Sequence, residues 1–283
     1  MKLKNLREDF VRALSRLYDA DEVMSFFYIL TEEVLGFRRV DVALNLEKKL
    51  SDNEVLKFSN IQQRLENQEP IQYILGEAEF YGLRFKVDSN VLIPRPETEE
   101  LVDWIIKDYR TVKDKIKILD IGTGSGCIAV TLAKKIPNAE VYAIDISQKA
   151  IEVARNNAKF HNVEIKFIHK DILAENDLAE KFSVIVSNPP YVRELEKQEM
   201  RPNVLDHEPY QALFVSDEKP LVFYKKITEL ALQSLKAEGV LYFEINQYLS
   251  ELTKKMMKET GFNSLELRKD IRGNDRMIKA NRN

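Results

Sequence analysis

The spacing of apolar positions changes twice along the chain. Phe10, Leu14, Leu17 and Tyr18 fall on one helical face and Val23, Phe26, Phe27 and Leu30 on the next, which predicts two amphipathic helices turned toward a core. Ser51-Asp52-Asn53-Glu54 has the spacing of a capping box, in which hydroxyl and carboxylate each satisfy a backbone N–H that a first helical turn leaves orphaned. It opens a third helix that turns Val55, Phe58, Ile61 and Leu65 inward and stops at Pro70. Residues 1–75 are therefore expected to form a small helical bundle.

Between Gly76 and Val91 the pattern shortens. Ala78-Glu79-Phe80 and Arg84-Phe85-Lys86-Val87 flank Tyr81-Gly82-Leu83, predicting a β-hairpin connector over residues 76–91. From residue 92 to 283 strand-like and helix-like stretches alternate. Ile116–Ile121, Glu140–Ile144, Glu164–His169, Phe182–Ser187 and Gly239–Glu244 read as strands, with helical stretches such as Gln148–Lys159 and Leu221–Leu235 between them. That alternation predicts an α/β fold, a doubly wound and mainly parallel sheet. Neither an internal repeat nor a low-complexity tract interrupts it.

Composition narrows the function. With 283 residues, 44% hydrophobic and 31% charged, the chain has room for two soluble domains. No apolar run is long enough to span a bilayer, and charge interrupts Met1-Lys2-Leu3-Lys4-Asn5 too early for a signal peptide, so a cytoplasmic protein is expected. Cys127 stands alone and His161, His169 and His207 are scattered, which predicts neither an intrachain disulfide nor a metal cluster. A net charge of −3, with balanced charges over residues 1–75, argues against bulk nucleic acid as the direct substrate.

The candidate chemistry lies at strand ends. Asp120-Ile121-Gly122-Thr123-Gly124-Ser125-Gly126 follows the first strand of the sheet and opens a helix near Cys127, a loop whose backbone can pass close to a ligand. Its G-x-G-x-G spacing departs from the dinucleotide fingerprint G-x-G-x-x-G. Asp145, ending the second strand, is placed either to accept both hydroxyls of a ribose or to begin the next helix. Asp171, followed by Ile172 at the end of the third, reads as an acceptor for an adenine amino group or as a turn residue.

Asn188-Pro189-Pro190-Tyr191 closes the fourth strand. The Asn188 side-chain oxygen and the Pro189 carbonyl are acceptors, neither proline has an N–H, and Pro190 holds Pro189 extended. The motif reads as a grip for a planar NH2 group, or as a plain chain reversal. Open α/β sheets bind ligands across these carboxyl ends. Four consecutive polar contacts there, with no pyrophosphate clamp, point to S-adenosylmethionine and to methylation of a planar NH2.

Further blocks sharpen this. Pro70-Ile71-Gln72-Tyr73-Ile74-Leu75-Gly76 with Phe80-Tyr81-Gly82, then Leu92-Ile93-Pro94-Arg95-Pro96-Glu97-Thr98-Glu99, and Glu208-Pro209-Tyr210-Gln211-Ala212-Leu213 occur in that order. With the Gly-rich loop and Asn188-Pro189-Pro190-Tyr191 they resemble the HemK/PrmC group of Rossmann-like class I methyltransferases, over nearly the whole chain. The resemblance implies methyl transfer from S-adenosylmethionine to the side-chain nitrogen of the glutamine in the Gly-Gly-Gln motif of class I peptide-chain release factors. It implies that Gly122, Thr123, Gly124, Ser125, Gly126, Asp145, Asp171, Ile172 and Asn188 hold the cofactor, and that Asn188, Pro189, Pro190 and Tyr191 hold the amide, Tyr191 against its plane. It also implies a monomer of three parts: a helical substrate-recognition domain over 1–75, a linker over 76–91 and the methyltransferase domain over 92–283.

Two rivals stay open. Adenine-N6 methyltransferases of DNA and guanine-N2 enzymes acting on RNA share Asn-Pro-Pro-Tyr, and a fold kept only as an interaction module would bind cofactor without turnover. One block departs from the family: Glu244-Ile245-Asn246-Gln247 stands where Glu-Ile-Gly is usual, leaving Asn246 without a role.

Overall fold

The computed structural model describes residues 1–282. Its backbone divides into two compact units, residues 1–75 with 202–207, and residues 76–201 with 208–283.

The first unit contains helices Leu3–Leu14, Ala20–Leu35, Arg39–Leu44, Asp52–Glu66 and Ile71–Leu75, joined by the short helix Pro202–His207. The helices form where local chemistry satisfies their ends. Asp19 accepts from Glu22 N at 2.9 Å, and Ser51 and Glu54 form the reciprocal capping box that their spacing predicts. Phe10, Leu14, Phe27, Leu30, Phe58 and Leu65 are buried together. Leu17 differs from expectation: its helix stops at Leu14, the residue lies in the following turn, and it is 43% exposed.

The second unit opens with a hairpin, β1 (Glu77–Phe80) and β2 (Leu83–Lys86), followed by the helix Pro96–Tyr109. The sheet strands are β3 (Ile116–Ile121), β4 (Ala139–Asp145), β5 (Ile165–His169) and β6 (Phe182–Ser187). Two short strands, β7 (Val192–Arg193) and β8 (Phe214–Val215), pair outside it. The main sheet is completed by β9 (Leu235–Glu244), β10 (Ser264–Lys269) and β11 (Asp275–Asn281), in the order β10-β11-β9-β6-β3-β4-β5. Strands β9, β6, β3, β4 and β5 are parallel, and β11 runs antiparallel to both neighbours.

The strands read as near-continuous apolar runs because both sheet faces are covered. Ile118, Val184 and Tyr242 join one buried cluster with Trp104 and Leu132; Leu119, Ile185 and Phe243 join the other with Tyr224 and Met257. Strand order reverses between β3 and β6. That switch point opens a crevice at the carboxyl edge of the sheet, the usual ligand position in this architecture.

Candidate active site

A cavity of about 390 Å³ occupies the crevice, within the usual range of roughly 300–1,000 Å³ for small-molecule sites. Gly122, Thr123, Gly124, Ser125, Asp145, Asp171, Ile172, Asn188, Pro189 and Pro190 all line it, so the structure brings together most of the residues expected from sequence. Gly126 and Tyr191 are not on that wall.

The Gly-rich loop is shaped by its neighbours. Gly122 N and Thr123 N both donate to the Ile144 carbonyl, and Gly124 N donates to Asp145 Oδ2 at 2.8 Å. Gly124 has φ 53, and a Cβ added there would meet nothing within 4 Å. Gly126 is constrained differently: at φ 80, a Cβ would lie 3.0 Å from the Ala154 Cβ and 3.2 Å from its Cα. Its lack of a side chain lets the helices Cys127–Lys135 and Gln148–Phe160 approach.

Asp145 leads into the next helix and also lines the cavity. Its Oδ1 accepts from Ser147 N at 2.8 Å at the mouth of that helix. Burial raises its carboxyl above the ordinary value against the pull of these N–H donors. Beneath the loop, Asp120 is buried completely and takes a 2.7 Å hydrogen bond from the Thr123 hydroxyl. Burial, reinforced by the Asp145 charge, pushes its carboxyl up to about 7. Asp171 makes an Asx turn, Oδ1 accepting from Leu173 N at 2.9 Å, and stays exposed on the wall beside buried Ile172. Ile146 and Leu173, 52% and 37% exposed, add apolar surface to the same wall.

At the other side of the cavity, Asn188 Nδ2 donates to Thr98 Oγ1 at 3.1 Å. Among the described residues neither Asn188 Oδ1 nor the Pro189 carbonyl takes a hydrogen bond. Thr98 Oγ1 donates in turn to Glu244 Oε2 at 2.6 Å, and Tyr191 Oη donates to Glu244 Oε1 at 3.0 Å. Glu244 is buried, which raises its carboxyl, while the two hydroxyls and the Arg276 charge oppose the rise. Tyr191 thus stands behind the expected grip, lining an adjoining cavity of about 50 Å³ with Asn188 and Pro189. Burial and the neighbouring Glu244 push its phenol well above the ordinary range.

Two contacts had no signal in the local sequence. Arg95 Nη2 meets Glu208 Oε1 at 2.5 Å, and Ile93 N donates to Glu208 Oε2 at 3.4 Å, tying two segments that both line the cavity. The Glu208 side chain is only 1% exposed, so removal of Arg95 would leave a buried charge unpaired, at roughly 3–5 kcal/mol. Asn246, without a role in the sequence reading, donates to the Tyr191 carbonyl at 3.0 Å and to Glu196 Oε2 at 2.9 Å, and accepts from Tyr248 N. It anchors the chain just after Asn188-Pro189-Pro190-Tyr191.

The chain matches two family models, one described as the methyltransferase small domain over residues 101–209 and one as the PrmC N-terminal domain over residues 6–76. A release factor glutamine methyltransferase of Flavobacterium psychrophilum is 53% identical over 283 residues, 99% of each chain. Another, of Bacteroides thetaiotaomicron, is 43% identical over 272 residues, 96% of this chain and 97% of that protein. Among solved structures, a methyltransferase from Pyrococcus furiosus shares the fold at a TM-score of 0.53 and 19% identity, covering 79% of this chain and 98% of that one.

Proposed function

The chain belongs to the release factor glutamine methyltransferase family, and we propose that its cavity brings S-adenosylmethionine against a glutamine side chain held by Asn188 and Pro189. The residues present fit the cofactor. Gly122 and Gly124 leave open space where any other residue would carry a Cβ, Asp145 offers carboxylate lone pairs at the end of β4, and Ile146 and Leu173 give apolar surface for a flat base. S-adenosylmethionine supplies an electrophilic methyl group on a sulfonium.

An amide nitrogen is a poor nucleophile because its lone pair is delocalised into the carbonyl. Asn188 Oδ1 and the Pro189 carbonyl accept its two hydrogens and hold the nitrogen toward the methyl. Such positioning is worth on the order of 7–11 kcal/mol when the approach is well aligned. Both acceptors gain strength as positive charge develops on nitrogen, and being fixed beforehand they need no reorganisation. As the N–C bond forms and the methyl's bond to sulfur breaks, the nitrogen is left with one proton too many, which it then gives to water. Tyr191 acts from behind, through Glu244. The segment from Pro94 to Arg95 and the loop from Glu208 to Gln211, joined by their ion pair, wall the site from two sides.

The observation that carries this reading is the pair of free acceptors, Asn188 Oδ1 and the Pro189 carbonyl, at the switch point beside the Gly-rich loop. The acceptor protein is a class I release factor in the cytoplasm, engaged by the N-terminal helical unit while its Gly-Gly-Gln loop enters the cavity; the enzyme works as a monomer and not on nucleic acid. A three-way incubation with methyl-labelled S-adenosylmethionine tests it: a release factor, the same factor with its glutamine changed to alanine, and duplex DNA. Label is expected on the first alone, mapped to the glutamine by mass spectrometry. Label on the alanine variant or on DNA overturns the assignment.

A further inference from the structure

Thr98 and Glu244 are buried at 3% and 1% exposure directly behind Asn188. Their hydrogen bonds have a direction. Glu244 takes one hydroxyl on each carboxylate oxygen, Thr98 on Oε2 and Tyr191 on Oε1, so it acts as acceptor in both. A threonine hydroxyl has a single proton. Having given it to Glu244, Thr98 Oγ1 can only accept from Asn188, and the group that faces it must be the amide NH2.

We propose that Thr98 and Glu244 are positioning residues that set which way the Asn188 amide faces, presenting its oxygen and not its nitrogen to the substrate NH2. The two orientations of a primary amide have almost the same shape, so packing cannot choose between them. Hydrogen-bond direction can. With the amide turned over, a donor would meet the donor NH2 of the incoming glutamine, and the site would keep its form while losing its grip. This inference rests on the reading of Asn188 as an acceptor for the substrate amide.

Glu244→Gln tests it with little change in volume. The new side chain keeps an oxygen for the Tyr191 hydroxyl and places an NH2 on Thr98 Oγ1. Thr98 is then free to donate to Asn188, and the whole chain of bonds reverses. The expected result is a fall in kcat for release-factor methylation of roughly tenfold or more, with the Kd for S-adenosylmethionine held within about twofold and the melting temperature preserved. Thr98→Val removes the hydroxyl at nearly constant shape and should lose rate similarly, whereas Thr98→Ser should retain most of it. A purely structural role would instead lower stability and cofactor affinity together, and that pattern overturns the proposal.

Asn188→Ala separates this from the reading beneath it. Full activity of Asn188→Ala removes the grip itself. If Asn188→Ala loses activity while both Glu244→Gln and Thr98→Val keep the wild-type rate, the grip stands and the positioning role fails. Should Glu244→Gln not fold, the Thr98→Val and Thr98→Ser pair decides alone: equal full activity in both overturns the proposal.

Discussion

Ser187 donates its hydroxyl to the Ile121 carbonyl at 2.6 Å, across the two parallel strands between which strand order reverses. The same residues are register partners, so Gly122 and Asn188 leave the sheet at one level. The Gly-rich loop proposed to hold the cofactor and the motif proposed to hold the amide are therefore spaced by the register of the sheet.

Asn188→Ala should reduce kcat far more than cofactor affinity. Removing one preorganised acceptor from a transition state raises the barrier by about 2.7–4 kcal/mol, roughly 100- to 1000-fold in rate. Asn188→Asp keeps an oxygen but adds charge beside a sulfonium and should be impaired less than Ala. Single-turnover kinetics with saturating cofactor check both, and wild-type turnover by Asn188→Ala would remove this residue from the chemistry.

Asp145→Ala should weaken S-adenosylmethionine by about 1.5–3 kcal/mol, the range for hydrogen bonds to a charged group. Because Asp145 also holds Gly124 N and Ser147 N, the loop should loosen as well. Calorimetric titration measures the first effect and amide exchange at Gly124 the second; unchanged affinity excludes Asp145 from the site.

Gly126→Ala should destabilise the fold, since a left-handed residue with a side chain costs roughly 1–2 kcal/mol before any contact is counted, and here Ala154 stands in the way. In an Ala154→Gly background the contact with the Ala154 Cβ should disappear, while the 3.2 Å approach to its Cα and the left-handed backbone cost remain. Urea denaturation of the two single variants and the double variant reads the difference, and full additivity would mean that the two positions do not touch.

Asp120 gives the protein a pH dependence of definite sign. Its carboxyl titrates near 7 when folded and near about 3.9 when unfolded. Below the lower value both forms hold the proton. Between the two only the folded form does, so stability falls as pH rises through this window and levels off above it. Asp120→Asn cannot ionise. Relative to wild type it should gain stability from about pH 4 to about pH 7, by an amount on the order of a few kcal/mol. Melting curves of both proteins across that range decide, and a constant difference would show that Asp120 is ionised throughout.

Leu44 is 78% exposed on the N-terminal unit, a large apolar side chain with no burial of its own. If this unit meets the release factor, Leu44→Glu should raise KM for the whole factor and leave a short Gly-Gly-Gln peptide unaffected. Equal kinetics on the whole factor for both proteins would exclude Leu44 from the contact.

Much of the fold was legible because it is written in local periods. Helix faces repeat at three to four residues, buried parallel strands read as apolar runs, and Ser51 with Glu54 announces a helix start within four positions. Leu17 was misplaced for the same reason, since periodicity continues past the point where a helix ends. The cavity wall was legible because strand ends bring Gly122, Asp145, Asp171 and Asn188 to one edge. What stands behind it was not: Thr98 and Glu244 are 146 positions apart and Arg95 and Glu208 are 113 apart, so only the finished topology makes partners of them. Tyr191 shows the limit within a motif, because its neighbours face the cavity while its hydroxyl turns to Glu244.

Asn246 carries a consequence for how this chain can change. Where the family usually has glycine, its side chain holds the Tyr191 carbonyl and the buried Glu196 carboxylate, which Arg193 also meets at 2.5 Å. Placing a glycine there alone would leave the Glu196 Oε2 without its Asn246 donor, so the smaller residue is the harmful one here. The side chains at 196 and 246 therefore work as a pair, and the cost of a glycine at 246 should shrink once Glu196 is replaced by a residue that needs no donor.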